Sequence, residues 1–296
     1  MTRKKTVVYP SVTIIFPTRN GWQETEQCLG SIQKLKYPPE KIEVIAVDNG
    51  SRNIKYLGQG PKSNISNLKI ILNKKNLGFA KAVNQGIKKA KGEYILVTNN
   101  DVVFDKDYLA NLINFLQNNP KAGIVGGKVY FKKPCSKNEV AFAGAKFNFY
   151  TGILTCQKKE RQAGKTAWLP GCNMLIRRPL LEKTGYFDEK FFFYFEDVDF
   201  CLRARKAGFQ VFYYPKAKLW HGEGKTIEKK SWQKKFEYYY QGKTRLIFKH
   251  ASKLQLISSL FCQFSLFLPW YVLTRKRQAY PIAYKALMKT IADFRP

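Results

Sequence analysis

The chain has 296 residues, 45% of them hydrophobic, and carries 52 lysines and arginines against 21 aspartates and glutamates, a formal net charge of +31. That length suffices for a large core in one big domain, with or without an appended segment, and a balance this basic suggests a polyanionic partner, either nucleic acid or an anionic membrane surface, or else only the lysine-rich surface of an AT-rich coding sequence. The basic residues are spread through KKT, KKNLG, KKAKG, FKKP, QKKER and EKKSWQKK instead of lying on one recognition helix, which argues for a diffuse field and against base readout.

The N-terminal stretch MTRKKTVVYPSVTIIFP is basic, but its apolar run stops at Pro17 with no small-residue cleavage site, so VTIIF reads as a first core strand and not as a signal peptide. A helix through Cys28, Leu29, Ile32 and Leu35 follows, then the strands IEVIAV and LKIIL. Next come a helix with Phe79, Val83, Ile87 and Ala90 on one face, the strand YILVT, a helix from about Asp107, and the strand AGIVGG. Alternation of this kind predicts an α/β fold with a mostly parallel sheet covered by helices on both faces. Residues 128–170 mix glycine, lysine and aromatics without a period and are assigned to a β-rich insertion. After them GCNMLIRR reads as a buried strand, EDVDFCLRARKAGF as a helix that begins acidic and continues basic, and QVFYYP and AKLWH as two strands.

From about residue 229 the character changes, so the chain divides into an α/β domain over 1–228 and C-terminal helices over 229–296. A helix with Trp232, Phe236, Tyr240 and Ile247 near one face leads to an uncharged run, 254–274, followed by Arg275, Lys276 and Arg277 and an amphipathic tail. The run is long enough to span a bilayer. Yet Gln255, Ser259, Cys262 and Gln263 fall on one side, Pro269 interrupts it, and basic residues flank both ends. Those features suit a helix lying in, or re-entering, the cytoplasmic interface; a single span and simple packing on the domain remain open. Cys28, Cys135, Cys156, Cys172, Cys201 and Cys262 lie far apart with no C-x-x-C pair, so neither a zinc site nor a disulfide framework is expected, and the setting is a reducing cytosol.

In such sheets ligands bind outside the carboxyl ends of the strands. Those ends are Pro17-Thr18-Arg19-Asn20, Asp48-Asn49-Gly50-Ser51 and Asn99-Asn100-Asp101, three polar clusters that meet in one crevice if the strand order permits. Each taken alone also reads as an Asx or Ser turn.

The segments SVTIIFPTRN, VIAVDNGS, NLGFAKAVNQGIKKAKGEYILVTNND, WLPGCNMLIRR, GYFDEKFFFYFEDVDFCLRARKAGF and KLWHGEG, in this order over about residues 11–250, resemble the family 2 inverting glycosyltransferases of the GT-A fold, and most of all their rhamnosyltransferase-like branch. The resemblance implies a Rossmann-like mixed sheet and transfer of a sugar from a nucleotide-diphosphate donor, dTDP- or UDP-linked, to a glycan or lipid-linked acceptor. It implies Mg2+ or Mn2+ held by Asp101, the last residue of the D-x-D metal motif, and by His221. Asn99 replaces the first acid of that motif, which removes one anionic ligand. For the donor it implies Pro17, Thr18 and Asn20 against nucleobase and ribose, Asp48 accepting the base N3 proton, and Asn76, Gly78, Lys81 and Asn100 near the nucleotide.

Trp168 and Gly171 then lie where relatives place the acceptor wall. Asp197 in FEDVDF is the candidate general base, with Glu196 orienting acceptor or base, although adjacent carboxylates leave exchanged roles open. Asp199 reads as a dipole-complementing residue paired with Arg203 one turn on. Lys243-Thr244 stands where the family usually has Arg-Asn, and Arg245 is retained. The localisation expected is the cytoplasmic face of the cell membrane, with an anionic membrane surface and no nucleic acid as partner. Two competing readings are a nucleotidyltransferase, which PTRNGWQE with its single glycine does not favour, and a basic membrane- or nucleic-acid-binding protein on a degenerate GT-A fold.

Overall fold

The computed structural model describes residues 9–52, 65–132, 139–222, 232–269, 273 and 279–294. Cys135, Arg275, Lys276, Arg277 and the Glu223-Gly224 end of the LWHGEG segment lie outside the described residues.

Strand β1 (Val12–Thr18) runs between β2 (Ile42–Asn49) and β4 (Tyr94–Val97), both parallel to it, with β3 (Leu68–Asn73) outside β2. Val12, Ile14, Ile15 and Phe16 are wholly buried, the continuous apolar run demanded of a parallel strand covered on both faces. The helices α1 (Trp22–Gln33) and α2 (Phe79–Lys89) connect these strands, α3 (Tyr108–Asn118) follows them, and α2 buries Phe79, Val83 and Ile87 at helical spacing. The chain winds outward from β1 to β3 and then crosses through α2 to β4 on the other side of β1. Strand order therefore reverses at the β1/β4 boundary, where a crevice opens beyond the strand ends.

The second half of the ten-stranded sheet is mixed. β11 (Met174–Arg177) lies antiparallel between β4 and β6 (Ala122–Phe131), and β12 (Gln210–His221) runs parallel to β6. The two strands expected from QVFYYP and AKLWH are thus one. Pro215 has no N–H to donate, and pairing with β6 lapses between Tyr213 and Lys218 without ending the strand. A three-residue strand, β5 (Val102–Phe104), pairs antiparallel with the end of β12. The insertion consists of β7 (Val140–Phe142), the separate hairpin β8 (Ala145–Asn148) and β9 (Ile153–Cys156), and β10 (Gly164–Lys165) on the outer edge of β12. The described cysteines are all free.

Helices α4 (Arg178–Thr184) and α5 (Glu196–Lys206) precede β12; α6 (Trp232–His250), α7 (Lys253–Phe261), a π turn (Cys262–Phe267) and α8 (Ala279–Phe294) follow it. Asp199 pairs with Arg203 Nε at 2.8 Å, as expected, but it also holds α6, with Lys249 Nζ at 2.8 Å and His250 Nε2 at 2.7 Å. These contacts pack the end of α6 against α5. Arg245 bridges Asp293 and so ties α8 to α6. Among the described residues no helix is long and apolar enough to cross a membrane.

Burial alone would raise the Asp199 pKa, but His250, Arg203 and Lys249 outweigh it and hold the carboxyl well below its ordinary value. A depressed carboxyl contributes stability above its unfolded pKa of about 3.9 and loses it as pH falls toward the folded value. Asp199→Ala is expected to cost about 1–3 kcal/mol in urea denaturation at neutral pH, because it strips buried His250 of its carboxylate partner, while Lys249 keeps Asp188 and Arg203 keeps the Thr184 and Tyr186 carbonyls. The gap from the native chain should narrow below about pH 4.

Candidate active site

Asn99, Asn100 and Asp101 follow β4 and enter β5 directly. The β5–β12 register sets Val102 opposite His221, and the Gly222 N–H donates to the Asp101 carbonyl at 3.0 Å. This pairing brings His221 Nε2 to 3.1 Å from Asp101 Oδ1 and 3.1 Å from Asn99 Nδ2. Asp101 Oδ1 is buried and, the His221 nitrogen aside, has no hydrogen-bond partner among the described residues. A carboxylate oxygen without another partner beside an imidazole nitrogen fits a divalent cation such as Mn2+ or Mg2+. No cluster of three His, Cys, Asp or Glu side chains able to hold a metal occurs among the described residues. Such a minority share of ligands suits an ion whose other positions are filled by water and phosphate oxygens.

Asn100 is turned into the scaffold: its Nδ2 donates to the Gly21 carbonyl at 2.9 Å and to the hydroxyls of Thr18 and Thr25, both at 3.2 Å. It joins the ends of β1 and β4 to the start of α1. Asn49, which the sequence reading did not single out, plays the matching part on β2. Its Nδ2 donates to Asn76 Oδ1 and the Gly78 carbonyl, both at 3.0 Å, and its Oδ1 accepts from the Leu77 N–H at 2.9 Å.

The facing wall is the aromatic segment 191–195, FFFYF. Tyr194 and Phe195 both take left-handed backbone angles, φ 71° and 70°, costly for bulky residues. Two glycines make room for this strap. A Cβ on Gly78 would stand 2.5 Å from the Phe192 carbonyl oxygen, and one on Gly242 would stand 2.5 Å from that of Tyr194. The Phe79 N–H donates to the Phe192 oxygen at 2.9 Å, so the strap is pinned between the start of α2 and the middle of α6.

The strap delivers Glu196 and Asp197 as the first turn of α5. Asp197 accepts from the Gly171 N–H at 3.0 Å and from the Val198 N–H at 2.8 Å. Burial pushes its pKa up to about 6, with those N–H groups restraining the rise. Glu196 is buried with Oε2 unpartnered, and burial, then the neighbouring Asp197 charge, push its pKa well above the ordinary value. Trp168 packs on Phe142 at 5.5 Å and leaves its buried Nε1 without a partner.

These groups line one cavity of about 820 Å³, a size that accommodates a small-molecule substrate. It brings together Pro17, Thr18, Asn76, Gly78, Asn100 and Asp101 with Trp168, Gly171, Glu196, Asp197 and His221. Asp48, Asn20 and Lys81 are not among its lining residues. Asp48 is taken up by its own loop, Oδ1 accepting from the Gly50 and Ser51 N–H groups at 3.1 and 2.9 Å and Oδ2 from the Ser51 hydroxyl at 2.5 Å. Asn20 holds Ser51 and Arg52 in the same loop, at 2.9 and 2.8 Å. Lys81 lies on the open side of α2, 3.9 Å from Glu189. The cavity's cationic side chains among the described residues are instead Arg19 and Lys234, together with the titratable His221. Lys243 is buried below this wall with its amine over the Tyr239 and Tyr240 rings, and burial pushes its pKa down to about 8.

The family pattern described as Glycosyl transferase family 2 matches residues 13–185. The chain belongs to this family. It is 26% identical over 276 residues to the probable glycosyltransferase YdaM of Bacillus subtilis (strain 168), covering 89% of this chain and 63% of the relative. It is 27% identical over 218 residues to a poly-beta-1,6-N-acetyl-D-glucosamine synthase of Staphylococcus epidermidis, covering 73% of this chain and 51% of that protein. The chain thus spans between half and two thirds of these relatives' lengths. Among solved structures it resembles S. aureus TarS 1–349 in complex with UDP-GlcNAc, with TM-score 0.66, 19% identity and coverage of 95% of this chain and 80% of that one. GalNAc-T7 with UDP, GalNAc and Mn2+ gives TM-score 0.71 at 12% identity, covering 98% and 57%. Likeness at these identities establishes the GT-A fold; the rhamnosyltransferase-like branch is not singled out by it.

Gly242→Ala tests the strap. The added methyl displaces the Tyr194 carbonyl and with it the first turn of α5, and a shift near 1 Å is expected to lower kcat by about 10²-fold. Circular dichroism of the variant should match that of the native chain.

Proposed function

We propose that this glycosyltransferase moves a sugar, with inversion, from a nucleotide-diphosphate donor to a hydroxyl of a glycan or lipid-linked acceptor in cell-surface polysaccharide synthesis. One observation carries the reading. Asp101 Oδ1, Trp168 Nε1 and Glu196 Oε2, three buried polar atoms with no hydrogen bond among the described residues, all belong to residues of the same cavity. Each such atom costs about 1–3 kcal/mol unless something completes it, so a polar ligand satisfying all three has a ready thermodynamic reason to bind.

Asp101 and His221 would hold the divalent ion, which when bound supplies Lewis-acid stabilisation of the departing diphosphate. Arg19 and Lys234 take the part expected of Lys81 and add positive charge to the donor site. Asp197 removes the proton from the acceptor hydroxyl as that oxygen attacks the anomeric carbon opposite the diphosphate. Its raised pKa makes it a stronger base than an ordinary aspartate while leaving it mostly ionised at neutral pH. Glu196, held toward its protonated form, donates a hydrogen bond to an acceptor oxygen, and Trp168 offers its indole N–H. The two carboxyls thereby take different roles, with the base assigned to Asp197.

For the donor we propose dTDP-rhamnose, with UDP-linked hexoses next, on the N-N-D segment alone. Structures of similar fold hold other nucleotide sugars, UDP-GlcNAc in TarS and GDP-Man in a Pyrobaculum calidifontis mannosyltransferase. A panel of these donors with Mn2+ is therefore the test. One donor should release nucleoside diphosphate in the presence of acceptor, chelation should stop the release, and Mn2+ or Mg2+ should restore it; silence with every donor and acceptor offered would overturn the proposal.

The base assignment predicts a pH profile. Because Asp197 must be ionised, kcat/KM should fall as pH drops through about 6 and level off above it. Asp197→Asn should lower kcat by about 10²–10⁴-fold and leave donor affinity unchanged.

A further inference from the structure

Helix α7 is amphipathic in the reverse sense. A capping box starts it, Ser252 Oγ accepting from the Gln255 N–H at 3.3 Å and Gln255 Oε1 from the Ser252 N–H at 2.9 Å. Its inward face is polar. Ser259 is wholly buried, Gln263 is 1% exposed, and Gln263 Nε2 donates to Ser259 Oγ at 2.8 Å. Both side chains pack on Gly152 at the turn of the β8–β9 hairpin, and Ser258 Oγ donates to the Tyr150 carbonyl at 2.9 Å.

The outward face is apolar. Leu254, Ile257 and Phe261 leave 66%, 67% and 60% of their surface exposed. Five residues on, across the π turn, Leu266 is 52% exposed and stays in line with Phe261, because that turn takes one residue more than an α turn. A helix packed on a domain in water turns its apolar stripe inward; here the stripe faces away, and the medium that suits it is itself apolar.

Two neighbours extend this face. At the hairpin Tyr150 and Ile153 are exposed, while Leu154, on the other side of β9, lines the catalytic cavity. A Phe264–Tyr280 edge contact at 6.1 Å leads to α8, which buries Ala279, Ala283 and Ala286 and exposes Tyr280, Tyr284 and Met288. Lys146, Lys253, Lys285 and Lys289 are exposed on these same elements. The acid on α7 and α8 is Asp293 alone, and Arg245 neutralises it. Exposed apolar side chains with tyrosines and lysines on the same elements match the boundary of an anionic bilayer, where aromatic rings sit at headgroup level and lysines reach lipid phosphate.

We propose that the outward face of α7, with the hairpin tip and the tyrosine side of α8, docks on an anionic lipid surface and that the acceptor is carried on a membrane lipid. The docking stands on the geometry alone; the lipid-borne acceptor rests on the glycosyltransferase reading above. β9 passes from the docking face to the cavity wall, so a membrane-bound acceptor would meet the active site without leaving the surface.

The test is flotation of the full chain with vesicles of phosphatidylcholine and with vesicles of phosphatidylcholine mixed with phosphatidylglycerol. The native chain should float with the mixed vesicles and lose part of that binding in high salt. The double variant Ile257→Asp, Phe261→Asp should bind them about tenfold or more weakly. Its unfolding midpoint and its donor turnover with a water-soluble acceptor should match those of the native chain. Native protein that stays unbound, or a double variant that floats equally well, overturns the proposal. So does a native dimer in light scattering that the double variant abolishes, since the face would then belong to a second copy. Flotation without turnover of any donor would sink the enzymatic mechanism and leave the docking standing.

Discussion

Three residue pairings between β5 and the end of β12 make the site possible: Phe104 with Leu219, Val103 with Trp220, and Val102 with His221. They join residues more than a hundred positions apart, so their loop-closure entropy is met only after both halves of the sheet exist. Once formed, they fix the backbone at Asp101 through the Gly222 N–H and leave little freedom to the carboxylate and imidazole beside it. Slipping this register by one residue would turn His221 to the other face of the sheet. The Asp101–His221 juxtaposition and the integrity of this sheet edge therefore depend on the same few hydrogen bonds.

The opposite wall is held by strain instead of pairing. Two successive aromatic residues in the left-handed region cost on the order of 1–2 kcal/mol each, and such a conformation persists only where its surroundings over-determine it. Gly78, the Phe79 N–H and Gly242 do so by admitting or binding the strap carbonyls. What is gained is a fixed position for Glu196 and Asp197 at a helix start, with two N–H groups already on the Asp197 carboxylate. Preorganised donors of this kind need not reorient during the reaction, which is where polar sites draw most of their advantage over water.

Much of this was legible in the sequence because it is local. The alternation of apolar runs and helical stripes gave the first half of the sheet, the polar strand ends marked the crevice, and Asp199–Arg203 followed from helical spacing. What escaped was set by distant contacts. β5 has three residues and no pattern of its own, and β12 looked broken at Pro215 because a proline interrupts pairing without always ending a strand. Asp48, Asn20 and Lys81 have residue types that suit a ligand; turn contacts hold the first two in the Ser51 loop and Lys81 stands on the open side of α2, placements invisible in one sequence. Arg19 and Asn49 lay inside the very clusters inspected and passed unremarked, and the FFFYF run was quoted without a structural task. For 254–274 the polar stripe was visible; which side the protein would claim was not, since that is decided by the fit of Ser259 and Gln263 against Gly152.

In the proposed mechanism the cavity divides into a donor corner at Asp101 and His221 and a chemical wall at Glu196 and Asp197, each held by its own set of contacts. Calorimetric titration of UDP, dTDP and GDP with Mn2+ into the native chain, Asp101→Ala and Asp197→Ala tests that division directly. The account predicts that one nucleotide binds the native chain and Asp197→Ala alike, while Asp101→Ala weakens it by about tenfold or more, ~1.4 kcal/mol for each factor of ten. Equal binding by Asp101→Ala, or an equal loss in Asp197→Ala, would contradict it.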